Sequence, residues 1–330
     1  MPAESDGDPR CISGLSGSVP FTNPAGPRKR VVISNDLAGD PDGLLATAHA
    51  LLCSSAQVTA IVATRRSYGG SVANSADLAK AKGEALLRAM GIADVSVHAG
   101  SNDGLTSRSE PKDSPGARAI VAEAHRTDTS LPLFVTCGAA LTDVASALLI
   151  DPSIAERLTV VWIGGAAYPD GGADETNFSE DPIAAQVVFN DSEVPIWQIP
   201  MAVYSRAAVS NSEIQQCLIG CGEAGEFLWN ELYARIGDFS LGGFNLGETY
   251  TLGDSPLVAV TALTSAYEDA HGSGGQGSSE FTTIAAPHLE NDGRYTPDAN
   301  GRAIRIFISI DTRLMTEDFF AKMNLRYARH

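Results

Sequence analysis

The polarity pattern along the chain changes period again and again. Short apolar, β-branched runs at 31–34 (VVIS), 58–64 (VTAIVAT), 95–100 (VSVHAG), 131–137 (LPLFVTC), 158–165 (LTVVWIGG) and 194–200 (VPIWQIP) each read as a buried strand. Between them, segments 42–53, 74–90, 115–126, 140–150 and 182–190 are rich in Ala and Leu and repeat their apolar positions at helical spacing. Strands and helices in alternation predict an α/β fold: a single three-layer αβα domain with a mainly parallel central sheet covered on both faces. Past residue 200 the order is less regular. A helix is predicted over 211–236, then the Gly-rich SLGGFNLGE (240–248), a helix over 254–268, a linker-like loop at 271–280, a strand at 304–310 and a helix from Thr316. No internal repeat is present. The Gly-, Ser-, Pro- and Asp-rich start reads as a loose N-terminal arm over 1–29, with the domain running over 30–330.

Composition narrows the partners. The chain has 23 Lys plus Arg against 40 Asp plus Glu, a net charge of −17. That argues against nucleic acid or an anionic membrane as a main partner and fits a protein that holds cations. No stretch of about 18 apolar residues can span a bilayer. The first residues also lack the apolar segment of a secretory signal, so the expected location is cytoplasmic. Five cysteines, an odd number in a long chain, predict no disulfide framework. Cys217 and Cys221, four apart, lack further ligands for a zinc site and read as two half-buried thiols. The basic PRKR at 27–30 reads as a solvated flank of the first strand.

The chemistry concentrates where that first strand ends. In S-N-D-L-A-G-D-P-D, residues 34–42, Asp36, Asp40 and Asp42 fall within seven positions. Asp40 followed by Pro41 makes a good helix start, with Asp as the cap and Pro at the first helical position. One aspartate is thereby explained, but three are not. Crowded carboxylates repel unless protons or a cation intervene, and a hard divalent ion with oxygen ligands answers that economically. Asp254, in TLGDSPLVAVTAL, also precedes an apolar helix, where helix capping is a sufficient explanation on local sequence alone.

Four separated segments resemble the inosine–uridine nucleoside hydrolases, especially their divergent members, over about residues 30 to 270. Residues 34–42 resemble that family's opening Asp-x-Asp-x-x-x-Asp-Asp, with Ser34 in the first place and the last Asp one residue late, after Pro41. CGAALTDVASALLIDPSIAERLTVVWIGG (137–165) is similar to its Thr-Gly-Pro-Leu-Thr-Asn, helix and Met-Gly-Gly segment. DETNFSEDPIAAQVVF (174–189) is similar to its Ala-Glu-Phe-Asn followed by Asp-Pro. LGDSPLVAV is similar to its His-Asp-Pro-Leu-Ala-Val, with Gly253 in the histidine's place and Ser255 inserted.

The resemblance implies Ca²⁺-dependent hydrolysis of the N-glycosidic bond of a ribonucleoside or related riboside. It implies an ion held by Asp36, Asp42, Asp254 and the backbone carbonyl of Cys137, with Asp40 competing with Asp42 for the metal. Asp36 would be catalytic, deprotonating the water that the ion carries. Asp40, Glu175 and Asn177 would bind the substrate's ribose, so ribosides are expected over deoxyribosides. The family's base-side histidine is missing, leaving His271 and His288 as loop candidates for the leaving-group acid. Tyr250, Trp229 and Tyr233 are expected to fill the core, His49 to be structural, and Arg65 to replace a substrate-side asparagine. A homodimer or homotetramer is implied. Two rivals stand beside this reading. One is an Asp-nucleophile phosphatase, poorly matched by Asn35-Asp36. The other is a degenerate member that binds Ca²⁺ and a ribosyl ligand without cleaving it.

Overall fold

The structure, a computed structural model, describes residues 21–66, 73–265 and 278–328. The six apolar runs form strands β1 (Lys29–Asn35), β2 (Ala56–Ala63), β3 (Ser96–Ala99), β4 (Leu133–Gly138), β5 (Leu158–Ile163) and β6 (Ile196–Ile199). Later come β7 (Ala208–Ser210), β8 (Thr249–Thr251), β9 (Ser279–Ala285), β10 (His288–Leu289), β11 (Tyr295–Thr296) and β12 (Ala303–Ile310). Eight of these build the central sheet, in the order β3-β2-β1-β4-β5-β6-β12-β9. Every neighbouring pair is parallel except β12 and β9.

The α-helices among the described residues are α1 (Asp42–Leu51), α2 (Ser75–Met90), α3 (Pro115–Ala124), α4 (Thr142–Ile150), α5 (Thr176–Glu180), α6 (Pro182–Asn190), α7 (Met201–Tyr204), α8 (Asn211–Leu218), α9 (Gly222–Leu241), α10 (Pro256–Val258) and α11 (Thr312–Tyr327). The period-2 pattern of β1 separates two cores. Val31 and Ile33 pack with Leu44, Leu86, Leu228 and Phe319 of α1, α2, α9 and α11. Val32 packs with Ile120, Leu148 and Val188 of α3, α4 and α6 on the other face. The three-layer α/β reading therefore holds. Strand order reverses between β1 and β4, so a crevice opens outside the carboxyl ends of those two strands, the usual place for a ligand in such sheets.

Several local expectations are corrected. The helix over 211–236 is two helices, because Ile219 is extended and Gly220 takes φ 100°. The helix over 254–268 is one α turn, α10, that passes into a π-helical turn at Ala259–Leu263. The last helix starts at Thr312 rather than Thr316, because the Asp311 carboxylate accepts from the Leu314 amide and caps it. The loop expected at 271–280 lies largely outside the described residues, and its last two positions belong to β9. Lys29 and Arg30 are buried, not solvated. The Lys29 ammonium sits over Phe134 and Trp197, and the Arg30 guanidinium pairs with Glu123 at 2.7 Å. Cys217 is disulfide-bonded, whereas Cys53, Cys137 and Cys221 are free. Among the described residues no helix is long and apolar enough to cross a membrane.

Candidate active site

Asn35, the last residue of β1, pairs with Gly138, the last of β4, at the point where strand order reverses. Its amide Nδ2 donates to Asp254 Oδ2 at 2.9 Å. Gly138 makes that approach possible, because a Cβ there would lie 2.6 Å from Asp254 Oδ1 and 2.5 Å from Asn35 Nδ2. The Asp254 amide in turn donates to Asp42 Oδ2 at 3.1 Å, while Asp42 Oδ1 accepts from the Gly43 amide at 2.9 Å. Neither Asp254 nor Asp40 caps a helix. Ser255 occupies the cap position of α10, and Pro41 that of α1, each without a side-chain capping bond. The capping explanations for both aspartates are thus removed.

Asp36, Asp42 and Asp254 are all buried. Burial pushes each carboxyl upward, and neighbouring carboxylates add to it: Asp254, Glu180 and Asp40 on Asp36, Asp254, Asp40 and Asp36 on Asp42, and Asp40 and Glu175 on Asp254. Asp36 and Asp42 rise well above the ordinary carboxylate range, and Asp254 reaches about 7. Asp40 is also raised by burial, but the Tyr250 hydroxyl bonded to its Oδ1 and the nearby Arg235 guanidinium pull the other way. Asp42 is tied to the Asp254 amide and Asp40 to the Tyr250 hydroxyl, while the charge of Asp40 still raises all three of the others. Oxygen donors crowded in a buried place, with Asn35 Oδ1 buried and lacking a hydrogen-bond partner beside them, fit a hard divalent cation. The cluster is nonetheless loose. Among the described residues, the trio whose ligand atoms all lie within 4.8 Å of one another is a different one, His49, Cys53 and Asp318.

The aspartates form one wall of a cavity of about 490 Å³. Glu175 and Asn177 reach it from the start of α5. Glu175 is fully buried and already engaged. Its Oε1 accepts from the Asn177 amide (3.1 Å) and the Tyr204 hydroxyl (2.8 Å), and its Oε2 from the amides of Gly165 and Phe178 (both 2.8 Å). Four donors fill a carboxylate's capacity, so this residue first of all fixes the α5 turn. Asn177 is half-buried and donates through Nδ2 to the Ile163 carbonyl at 2.9 Å.

Arg235 and Phe239, stacked at 4.4 Å on α9, also line the cavity, as does Tyr204. No sequence motif points to any of these three. The i,i+4 spacing of Arg235 and Phe239 was visible, but nothing in it says which helix face meets a cavity. Gly253, where the family has histidine, lies against the same group. A Cβ there would stand 3.2 Å from Asp42 Oδ2 and 3.3 Å from the Tyr204 ring.

Other expected residues fall elsewhere. Cys137 sits one residue before the cavity-lining Gly138, with its thiol turned to the Ala139 carbonyl. Arg65 donates to the Glu180 carbonyl and does not line the cavity. His271 lies outside the described residues, and His288 is exposed on β10. Tyr250 is buried as expected, but Tyr233 is 65% exposed, because it lies on the outer side of α9 against Trp229.

An oxygen-lined acidic cavity at the reversal point of a parallel α/β sheet is the setting of a metal-assisted hydrolase. The family model described as inosine-uridine preferring nucleoside hydrolase matches residues 31–309. The chain belongs to that family and is a hydrolase of N-glycosyl compounds, of a metal-dependent kind. Its structure is similar to the purine-preferring ribonucleoside hydrolase from Gardnerella vaginalis, with TM-score 0.70 and 19% identity over 91% of this chain and 99% of that one. It is also similar to the inosine-uridine preferring nucleoside hydrolase from Bacillus anthracis, with TM-score 0.62 and 16% identity over 90% and 99%. A third likeness is to the type III effector protein XopQ complexed with adenosine diphosphate ribose, with TM-score 0.61 and 14% identity over 92% and 94%. Identities this low speak for the fold. No curated protein sequence matches the chain.

Proposed function

We propose that this chain hydrolyses the N-glycosidic bond of a ribonucleoside or related riboside, giving free base and ribose, with Ca²⁺ as its ion. The observation that carries the reading is the meeting of Asp36, Asp42 and Asp254, from two distant segments, on one wall of a cavity that also presents Asp40 and Asn177. Asp36, Asp42 and Asp254, with the backbone carbonyl of Cys137, would hold the ion. A divalent cation held there would supply Lewis-acid polarisation and make a nearby water easier to deprotonate.

The chain's own residues do the rest. Asp36, raised by burial and by Asp254, accepts the proton of the attacking water. Asp40, oriented by Tyr250, accepts from a ribose hydroxyl, with Asn177 reaching a second. Glu175 takes part where a ribose hydroxyl replaces that of Tyr204. Arg235 and Phe239 offer a cation and an aromatic face to the departing base. The homo-oligomer belongs to the same proposal; Leu241 and Phe244, 90% and 67% exposed at and just beyond the end of α9, are apolar surface that an assembly would cover.

One observation favours the rival that binds without cleaving. Gly253 supplies no proton donor to the leaving base. The test is incubation of the pure protein with ribonucleosides, nucleotides and ribosylated metabolites, with calcium and with chelator, measuring free ribose and free base. Calcium-dependent release of both is expected. Tight calcium-dependent binding without release would establish the rival, and phosphate release without base release would point to a phosphatase.

A further inference from the structure

A second cluster lies at the other end of α1, away from the acidic cavity. His49 stands in the last turn of α1, Cys53 follows in the turn into β2, and Asp318 and Lys322 sit one turn apart on α11. Ligand atoms of His49, Cys53 and Asp318 all lie within 4.8 Å of one another. His49 Nε2 meets Asp318 Oδ2 at 2.8 Å, and the other ring nitrogen, Nδ1, is buried with no hydrogen-bond partner among the described residues. The Lys322 ammonium donates to Cys53 Sγ at 3.2 Å and also to Asp318 Oδ2.

His49, Cys53 and Lys322 are at most 8% exposed. Cys53 nevertheless forms part of the wall of a cavity of about 370 Å³, separate from the acidic one, whose walls also include Val58, Val95 and the charged residues Asp94 and Arg326.

Among the described residues Lys322 and His49 share one carboxylate partner, Asp318, so protonation of His49 would leave one positive charge in excess, and the sulfur is the atom placed to balance it. Burial alone would push the Cys53 thiol up. His49 and Lys322 outweigh burial and hold it below its ordinary value, while His49 and Lys322 are themselves raised. The donor set also suits a soft transition metal. Lys322 already places a cation on two of its three members, Sγ and Oδ2.

We propose that Cys53 is a thiol–disulfide exchange site, its thiolate held between Lys322 and His49 and open to small disulfides that enter the cavity beside it. The Cys53 sulfur attacks one sulfur of the disulfide. The Cys53–S bond forms as the small molecule's S–S bond breaks, and the departing half leaves as a thiolate that takes a proton from solvent. Cys137 and Cys221 are internal controls, since burial pushes their thiols up to about 12 and about 11.

The test exposes the full chain to hydroxyethyl disulfide near neutral pH, quenches with acid, and measures the occupancy of each cysteine by peptide mass spectrometry. Cys53 is expected to react at least roughly tenfold faster than Cys137 and Cys221, with a rate that levels off below the pH of an ordinary thiol's ionisation. Lys322→Met should slow Cys53 roughly tenfold and Lys322→Arg should restore it. Unfolding of the Met variant would show itself as faster labelling of Cys137 and Cys221, in which case the Arg variant and the wild-type pH profile decide. Three results would each overturn the proposal: Cys53 reacting no faster than the buried pair, a rate that climbs with pH as a free thiol's does, or full protection of Cys53 by one equivalent of zinc, which would make the cluster a metal centre.

Discussion

The amide of Asp254 donates to the carboxylate of Asp42 at 3.1 Å, joining residues 212 positions apart in the chain. The bond does more than tie a loop to a helix start. It brings a second carboxylate next to the first and so creates repulsion that the apo protein must hold. Asp254→Asn keeps an oxygen for Asn35 and removes one charge. The account predicts about a hundredfold weaker calcium binding by calorimetry and a higher melting temperature in chelator. Unchanged calcium affinity would remove Asp254 from the ion's site.

Gly138→Ala tests the same site sterically. The added methyl would overlap both Asp254 and Asn35 Nδ2, at 2.6 and 2.5 Å. Calcium binding and ribose release should both fall by at least about tenfold, while far-ultraviolet circular dichroism stays native. Wild-type turnover in this variant would mean that Asp254 need not sit where the structure has it.

How much of this was legible beforehand differs by element. The six strands were readable because a buried parallel strand leaves a short β-branched run that few other elements produce. The break after α8 was not, because CLIGC continues the apolar pattern and only the two glycines hinted at a turn. Asp40 looked like a helix cap because local sequence cannot show that Tyr250, 210 residues on, takes its carboxylate. Asp254 reached the site through family resemblance, since its local surroundings read equally well as a cap. Tyr204, Arg235 and Phe239 join the cavity through tertiary packing alone.

Tyr204 is predicted to compete with substrate for Glu175. Its hydroxyl donates to Glu175 Oε1 at 2.8 Å. Tyr204→Phe should lower stability by about 1 kcal/mol and leave KM for a ribonucleoside unchanged or lower, as judged by urea unfolding and steady-state kinetics. A KM raised by about tenfold or more would mean that Tyr204 itself binds the substrate.

A pH effect on folding follows from Asp143, which lies outside the proposed ion site. Burial pushes its carboxyl up to about 6, against bonds from Ser114 Oγ and the Ser101 amide that favour its charged form. The folded value exceeds the unfolded one. The contribution is therefore fully present below the unfolded value and is lost as pH rises through about 6. Relative to Asp143→Asn, the wild type should lose roughly 3 kcal/mol of stability between about pH 4 and pH 7. Urea titrations of both proteins in chelator check this, and parallel curves would contradict it.

The central claim is that Asp36 serves both as ion ligand and as proton acceptor in riboside cleavage. The most direct measurement is ribose release by wild type and Asp36→Asn, each assayed with saturating calcium and after exhaustive chelation. The account predicts release by the wild type with calcium, none in chelator, and a loss of at least about a thousandfold in the Asn variant with its melting transition retained. Ribose release that survives chelation, or persists in Asp36→Asn at the wild-type rate, would contradict it.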